Sequence, residues 1–413
     1  MDRTILHVDA NCFYASVECL YNPEIRNKPV AVVGDIEKRH GIVLTANYIA
    51  KKYNVKTGEA IFEAKIKCPG LVVVKADMQL YMKFSRLMKK ILLRYSDLVE
   101  SFGSDEAWVD VTNSRRIFGD GEQIAKSISD TIKYELGITV SIGVSYNKVF
   151  AKLGSDMKKP DGITVITKEN YKEKVWPLPV TDLLNVGRKT GARLALKNIK
   201  TIGELANTRP EELKAWLGKN GLMLYDFANG FESSPVKAYD NISLVKSVGN
   251  SITASRDLKN NEDVKMIMFV LADSVARRLR EQGLFGKTVT VWIKTNTLTG
   301  FSKQCTLEGY TNLERTISEA AFSLFCKSYN WYCPVRAVGI AVSDLSADRG
   351  YTQLDIYGCE EKKANIEKLE RAQDELKNRF GGLCVRRGIL IKDNSLTYCD
   401  PKATHTVHPV GYM

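Results

Sequence analysis

The sequence predicts a multidomain chain that joins α/β and α+β folds. Three observations carry this expectation. The N-terminal third alternates strand and helix signals, short helices dominate across about 180–232, and a β-α-β-β-α-β order follows a polar run at 237–243. A length of 413 residues leaves room for two to three domains. With 44% hydrophobic and 26% charged residues, packed cores are expected and wholesale disorder is excluded.

In order along the chain, residues 4–8 form a short apolar run ending at Asp9, and a helical stretch follows through Leu20. Strands are expected at 28–33 and 41–44, then a helix over 46–53 stopped by Asn54. Residues 98–102 and 108–111 flank Gly103-Ser104-Asp105-Glu106, the pattern of an antiparallel hairpin. A helix over 123–136 ends at Gly137, and 139–146 alternates as a strand. A mixed sheet backed by helices accounts for this third. Pro177 and Pro179 then introduce the short helices, and Pro235 with the run 237–243 reads as a linker. Beyond it come a strand near 247–253, a helix near 264–282, strands at 287–294 and 300–307, a helix at 313–327 and a strand at 335–342. Residues 349–413 read as a loop, a charged helix (362–380) and a polar tail.

Charge gives the first functional indication. Lys and Arg total 60 against 48 Asp and Glu, a net charge of +12 that suits a polyanionic partner. A merely basic globular protein has the same total, so distribution decides. Between Leu183 and Gly203 stand Arg188, Lys189, Arg193, Lys197 and Lys200 with no acid, and 148–159 holds Lys148, Lys152, Lys158 and Lys159 against Asp156 alone. Both segments are expected to form electropositive faces. The nine cysteines are odd in number and form no C-x-x-C pair, so they read as reduced thiols of a cytoplasmic protein. No stretch of about 18 apolar residues occurs and the N-terminus lacks a basic-then-apolar order, which sets aside membrane spanning and export as expectations.

Asp9 closes one strand, and Asp105 with Glu106 sits on a hairpin far along the chain. Carboxylates at strand ends of one sheet can converge, and three of them beside lysines suit Mg²⁺ and a polyphosphate. An Asp-Glu pair on a turn is more often simply solvated. The surrounding residues favour the functional reading. Ile5-Leu6-His7-Val8-Asp9-Ala10-Asn11-Cys12-Phe13-Tyr14-Ala15-Ser16-Val17-Glu18 resembles the first motif of Y-family translesion DNA polymerases. Thr45-Ala46-Asn47-Tyr48, Ser104-Asp105-Glu106-Ala107, Asn147-Lys148-Val149-Phe150-Ala151-Lys152 and Lys158-Lys159-Pro160-Asp161-Gly162 continue it in order over about the first 350 residues. Bacterial DNA polymerase IV-type and ImpB/MucB/SamB-type enzymes are the most similar.

The resemblance implies a right-handed polymerase: palm at 1–24 and 78–168, fingers at 25–77, helical thumb at 169–235, linker at 236–245, little finger at 246–348, and a C-terminal clamp-binding loop, helix and tail at 349–413. By the same resemblance Asp9, Asp105 and Glu106 are catalytic and hold two Mg²⁺ ions, with Mn²⁺ able to substitute and the Ala10 carbonyl as a further ligand. Tyr14 becomes the ring that excludes a 2′-OH, with Phe13 packing beside the nucleotide; core packing is the alternative for this aromatic pair. Thr45, Tyr48 and Lys159 are implied contacts of the dNTP triphosphate. Lys51 stands where such families usually carry Arg, keeping the charge without the planar bidentate fork. An Ile commonly found between the serine and Asp105 is absent. The strand before Tyr48 is implied to roof the nascent base pair with Ile42 and Leu44, or else to bury them in the fingers core.

Gly187, Arg188, Lys189 and Thr190, after Val186 and before Leu194, resemble a helix-hairpin-helix turn that offers backbone N–H groups to a DNA phosphate; an ordinary αα-hairpin is the alternative. Lys246, Ser247 and Gly249 open the little finger, where 13 bases against 10 acids over 246–348 leave binding to local placement. Gln353-Leu354-Asp355-Ile356-Tyr357 resembles the peptide that docks on the bacterial sliding clamp, with Leu354, Ile356 and Tyr357 as apolar anchors. Cys399, His405 and His408 read as part of a solvated tail, with a metal site as the alternative. The expected partners are primer–template DNA, dNTP and the clamp, for a monomer without proofreading. A nucleotidyl cyclase shares paired palm carboxylates but needs neither thumb nor clamp peptide, and a DNA-binding adaptor would not need three carboxylates.

Overall fold

The computed structural model describes residues 3–34, 41–241, 244–349 and 359–404. They divide into two compact units, one built mainly from 1–33 and 42–242 and the other mainly from 243–406. In chain order the first begins with β1 (Ile5–Ala10), α1 (Phe13–Tyr21), β2 (Val30–Val33), β3 (Val43–Ala46), α2 (Tyr48–Lys52), α3 (Ile61–Lys67), β4 (Val72–Lys75) and α4 (Met78–Leu92). It continues with β5 (Val99–Phe102), β6 (Glu106–Asp110), α5 (Arg115–Phe118), α6 (Gly121–Leu136), β7 (Val140–Ser145), α7 (Lys148–Met157) and β8 (Ile163–Ile166). Five short helices close it: α8 (Tyr171–Val175), α9 (Arg188–Ala195), α10 (Ile202–Ala206), α11 (Pro210–Leu217) and α12 (Lys219–Ala228).

The main sheet runs β5-β6-β1-β7-β8, antiparallel except for β7 beside β8. On β1 the period of two sends Leu6, Val8 and Ala10 into a core with α4 and α6, and Ile5, His7 and Asp9 to the other face. Each helix flanking this sheet starts on a readable signal. Asp77 caps α4, Asp120 and Gln123 form a capping box on α6, and Asn147 caps α7. α7 crosses so close to β7 that a Cβ at Gly143 would stand 1.9 Å from the Ala151 carbonyl oxygen. Only glycine allows that approach.

A second, three-stranded sheet runs β3-β2-β4. Its strand β3 begins two residues later than the sequence predicts, after an isolated bridge at Ile42. Val43 is fully buried, whereas Ile42 is 44% exposed and Leu44 is half-buried. Ile42 and Leu44 therefore lie outside the core of this sheet, which Ala31, Val33, Val43 and Ala46 fill. Asn47 joins the pieces: its side chain caps α2, accepts from the Val30 N–H and donates to the Lys28 carbonyl.

The second unit holds β9 (Ser247–Leu258), α13 (Asn261–Glu281), β10 (Phe285–Thr295), β11 (Gly300–Thr311), α14 (Glu314–Ser328), β12 (Val335–Ser346) and α15 (Cys359–Phe380). Its antiparallel sheet runs β11-β10-β12-β9 with α13 and α14 on one face. The expected polar tail differs from the structure. Leu390 and Leu396 enter the core of this unit, Asn250 donates to the Pro401 carbonyl, and Ser255 to that of Ser395. Isolated leucines in polar surroundings carry no periodicity, so the sequence gives no sign of this packing. α15 is held by charge: Arg280 pairs with Glu370 and Asp374, and Lys377 lies 2.6 Å from Asp273. The motif 353–357, His405 and His408 lie outside the described residues.

Candidate active site

The antiparallel register sets Asp9 directly opposite Glu106, and His7 opposite Trp108. Both carboxylates thus share the sheet face away from α4 and α6. Like charges placed so destabilise a sheet unless cations compensate them. Asp105 precedes Glu106 in a turn opened by Gly103 at φ 83°. Two contacts hold that turn: Lys89 Nζ donates to the Gly103 carbonyl at 3.0 Å, and the Asp105 carbonyl accepts from the Ala10 N–H at 3.0 Å.

α7 brings bases to this acid cluster. Lys152 Nζ lies 2.5 Å from Glu106 Oε2, and Lys159 Nζ lies 2.7 Å from Asp9 Oδ2 and 2.8 Å from Asp156. Lys148 is buried, 2.7 Å from Glu100 and over the Trp108 ring. This corrects the electropositive face expected at 148–159. Three of its four lysines are paired to carboxylates from β1, β5 and β6, partners that no local charge count includes.

His7 stands next to Glu106 on the same sheet face. Its Nε2 lies 3.2 Å from Glu106 Oε2, and Nδ1 lies 2.8 Å from Ser155 Oγ, which itself donates to the Lys152 carbonyl. Burial keeps His7 below its ordinary value. Burial works against the Glu106 charge, yet His7 and Lys152 outweigh it and hold the carboxyl down to about 2. At Asp105 the balance is reversed, although Lys89 lies close enough to act on it. Burial, then Glu106 and Asp9, push it up to about 6. Asp9 is also raised, by burial and Glu106 more than Lys159 lowers it.

Among the described residues no three acidic, histidine or cysteine side chains are gathered into a metal-binding geometry. The donor set nevertheless fits a divalent cation. Three neighbouring carboxylates offer hard oxygens, and Asp105, raised first by burial and then by Glu106 and Asp9, is a carboxylate whose charge a cation would stabilise.

Tyr14 stands beside this cluster, its hydroxyl 3.4 Å from Ser104 Oγ. Phe13 is 2% exposed, its ring inside the core with Val17 and Tyr81. Tyr48 opens α2 and donates to Asn11 Oδ1 at 3.2 Å, while Lys51 Nζ lies 4.9 Å above the Tyr48 ring. Thr45 lies on β3 opposite Val32. Asn11, passed over in the sequence reading, is a buried junction that also accepts from Ser141 and donates to Thr139. His7 and Asn11 are inside the quoted motif; Lys89 carries no motif at all. Elsewhere in the first unit, Gly187 caps α9, with Arg188 and Lys189 exposed and Thr190 half-buried. In the second unit, Lys246 and Ser247 are exposed at the start of β9, and the Gly249 carbonyl accepts from Arg278.

The impB/mucB/samB family model matches residues 8–156, and the model of that family's C-terminal domain matches 245–356. A DNA polymerase IV from Acetivibrio thermocellus is 53% identical over 396 residues, covering 96% of this chain and 99% of that protein. The chain belongs to the impB/mucB/samB family. The similarity extends over most of the chain: DNA polymerase IV 1 of Bacillus subtilis is 38% identical over 395 residues, 94% of each chain. A model described as the thumb domain of DNA polymerase-iota matches 181–232, the segment of α9–α12. Among solved structures, a Y-family DNA polymerase chimera of Dbh and Dpo4 is similar with a TM-score of 0.72 and 25% identity, over 83% of this chain and 98% of that one. Members of this family act with divalent metal ions. No described helix is long and apolar enough to cross a membrane.

Proposed function

We propose that this chain is a DNA-directed DNA polymerase for translesion synthesis, adding dNMP to a primer 3′-OH opposite intact and damaged template bases and releasing pyrophosphate. The observation that carries the reading is the crowding of Asp9, Asp105 and Glu106 at one end of the main sheet, with Lys159 on Asp9. Primer extension on damaged and undamaged templates, with the divalent ion titrated, tests it. Synthesis on neither template at any ion concentration would end the reading.

Asp9, Asp105, Glu106 and the Ala10 carbonyl are assigned to two Mg²⁺ ions. When bound, such ions neutralise the triphosphate and make the primer hydroxyl easier to ionise. The chain's own residues do the rest. Lys152 keeps Glu106 ionised and aimed. Lys159, which lies 2.7 Å from Asp9 here, would contact the triphosphate together with Tyr48, Lys51 and the Thr45 hydroxyl. Tyr14 closes the space below the sugar. Phe13 supports it from the core and offers the nucleotide its backbone, since its ring is buried. Template and primer phosphates are taken by the N–H groups at Gly187–Thr190 and by Lys246, Ser247 and Gly249, contacts that hold DNA without reading its sequence. The palm, fingers, thumb and little finger are assigned the bounds given above, in a cytoplasmic monomer.

Two expected outcomes follow from peripheral parts. Replacing Leu354, Ile356 and Tyr357 together by Ala should remove most stimulation by the bacterial sliding clamp while clamp-free extension is unaltered, because apolar anchors of this kind each carry about 2 kcal/mol or more. Full stimulation of the triple variant would make the motif a chance match. For the roof, Ile42 and Leu44 lie outside the fingers core whereas Val43 is inside it. Ile42→Ala with Leu44→Ala should therefore raise bypass of a bulky lesion relative to undamaged template. The melting temperature should fall far less than for a buried pair, where each truncation costs about 2–5 kcal/mol. A large thermal loss without improved bypass would end the roof assignment.

A further inference from the structure

Sugar discrimination needs a ring that stays where it is, and a tyrosine side chain has two torsions by which to escape. Tyr14 lies on α1 with Glu18 one helical turn further along the same face. Packed against that face is Tyr81 of α4, which is fully buried. The Tyr14 and Tyr81 rings stack, their centroids 4.3 Å apart and their planes 14° from parallel. The Tyr81 hydroxyl donates to Glu18 Oε1, so the acceptor comes from the helix that also carries Tyr14. Tyr81 thus meets α1 twice, once through its face and once through its hydroxyl, and has no freedom to tilt.

The hydroxyl end of Tyr14 is held as well. Its hydroxyl lies 3.4 Å from Ser104 Oγ, which donates to Asp105 Oδ1 at 3.0 Å. The ring stands between the turn that bears Asp105 and the flat face of Tyr81. Retreat from a bulkier sugar toward α4 is blocked, because Tyr81 fills that space.

We infer that Tyr81, locked by Glu18, is a positioning residue that sets ribonucleotide discrimination by backing Tyr14. This rests on the reading of Tyr14 as the ring that excludes the 2′-OH. Neither Tyr81 nor Glu18 touches the nucleotide in this account; they act by denying Tyr14 a place to go. Removing the backing leaves a cavity into which a neighbouring ring relaxes, and preorganisation of this kind depends on the residues behind the contacting one.

The experiment compares kcat/KM for one dNTP and its rNTP opposite the same template base, in the full-length protein with primer–template. Tyr81→Leu removes the stack and should lower the dNTP-over-rNTP ratio by about tenfold or more, while kcat/KM for dNTP stays within about threefold. Tyr81→Phe keeps the stacking face and should retain most of the ratio. Glu18→Ala leaves both rings in place but frees Tyr81, and should lower the ratio in the same direction by less; it carries the test if Tyr81→Leu does not fold. Tyr14→Ala is the control. If it loses discrimination while Tyr81→Leu and Glu18→Ala both keep the wild-type ratio, the positioning role is overturned and the role of Tyr14 stands. An unchanged ratio in Tyr14→Ala overturns the reading of Tyr14 itself.

Discussion

Asp105→Asn and Glu106→Gln are each expected to lower primer extension by about a thousandfold or more while primer–template affinity stays within a few-fold. Loss of one hard ligand removes several kcal/mol of transition-state charge stabilisation, and every 1.4 kcal/mol is tenfold in rate. DNA affinity rests on dispersed lysines and backbone N–H groups, which these isosteric changes leave in place. Single-turnover extension beside a binding titration measures both, and near-wild-type turnover in either variant would remove the carboxylate assignment. The same substitution has an opposite effect on stability. Asp105 is raised from 3.8 to about 6 in the metal-free protein. A carboxyl raised on folding contributes stability below its unfolded pKa and loses it as pH rises through its folded pKa. Metal-free wild type should therefore lose about 2–3 kcal/mol between about pH 4 and pH 6, at 1.36 kcal/mol per unit. Asp105→Asn has no charge to desolvate and should melt higher than wild type above pH 6. Divalent ion should close that gap by stabilising wild type alone. Thermal melts across pH, with and without the ion, check the sign.

Legibility of the site followed the range over which its determinants act. Asp9, Asp105 and Glu106 could be placed on a strand end and a hairpin turn because those are local patterns, but only the motifs around them set them apart from solvated carboxylates. Tyr14 and Tyr48 were legible through motifs at fixed spacing. What escaped depends on partners far along the chain. Lys148, Lys152 and Lys159 read as a basic face, yet their carboxylates arrive from Glu100, Glu106 and Asp9. His7 sits in plain view in the first motif, but its role appears only when α7 places Ser155 on one ring nitrogen and β6 places Glu106 near the other. Tyr81 looks like any aromatic of an amphipathic helix until α1 is laid against it. The segment 386–401 failed for the opposite reason. Leu390 and Leu396 are too few and too spaced to form a periodic signal, and their burial is set by the unit they dock on.

Tyr14→Ala is expected to admit ribonucleotides, with the dNTP-over-rNTP ratio falling by about a hundredfold or more. The size follows from what is removed. A ring held against the sugar converts a 2′-OH into a steric clash that binding energy elsewhere cannot relieve, and pocket contacts of this kind discriminate by about ten- to two-hundredfold. Alanine replaces the ring by a methyl group, leaving open space beside Ser104 and in front of Tyr81. Extension with dNTP should persist, because Asp9, Glu106, Lys152 and Lys159 make their contacts without the ring. Stability should fall only modestly, since Tyr14 is half-buried whereas its neighbour Phe13 is 2% exposed. Phe13→Ala is the informative contrast. It excavates the core beneath the same site and should cost about 3–5 kcal/mol of stability, with a fall in dNTP turnover as well. Tyr14→Ala separates the two effects by changing sugar choice far more than melting temperature. Measuring kcat/KM for both sugars opposite one template base, together with thermal melts of both variants, decides between a gate and a packing residue. An unchanged ratio in Tyr14→Ala would make Tyr14 a packing residue.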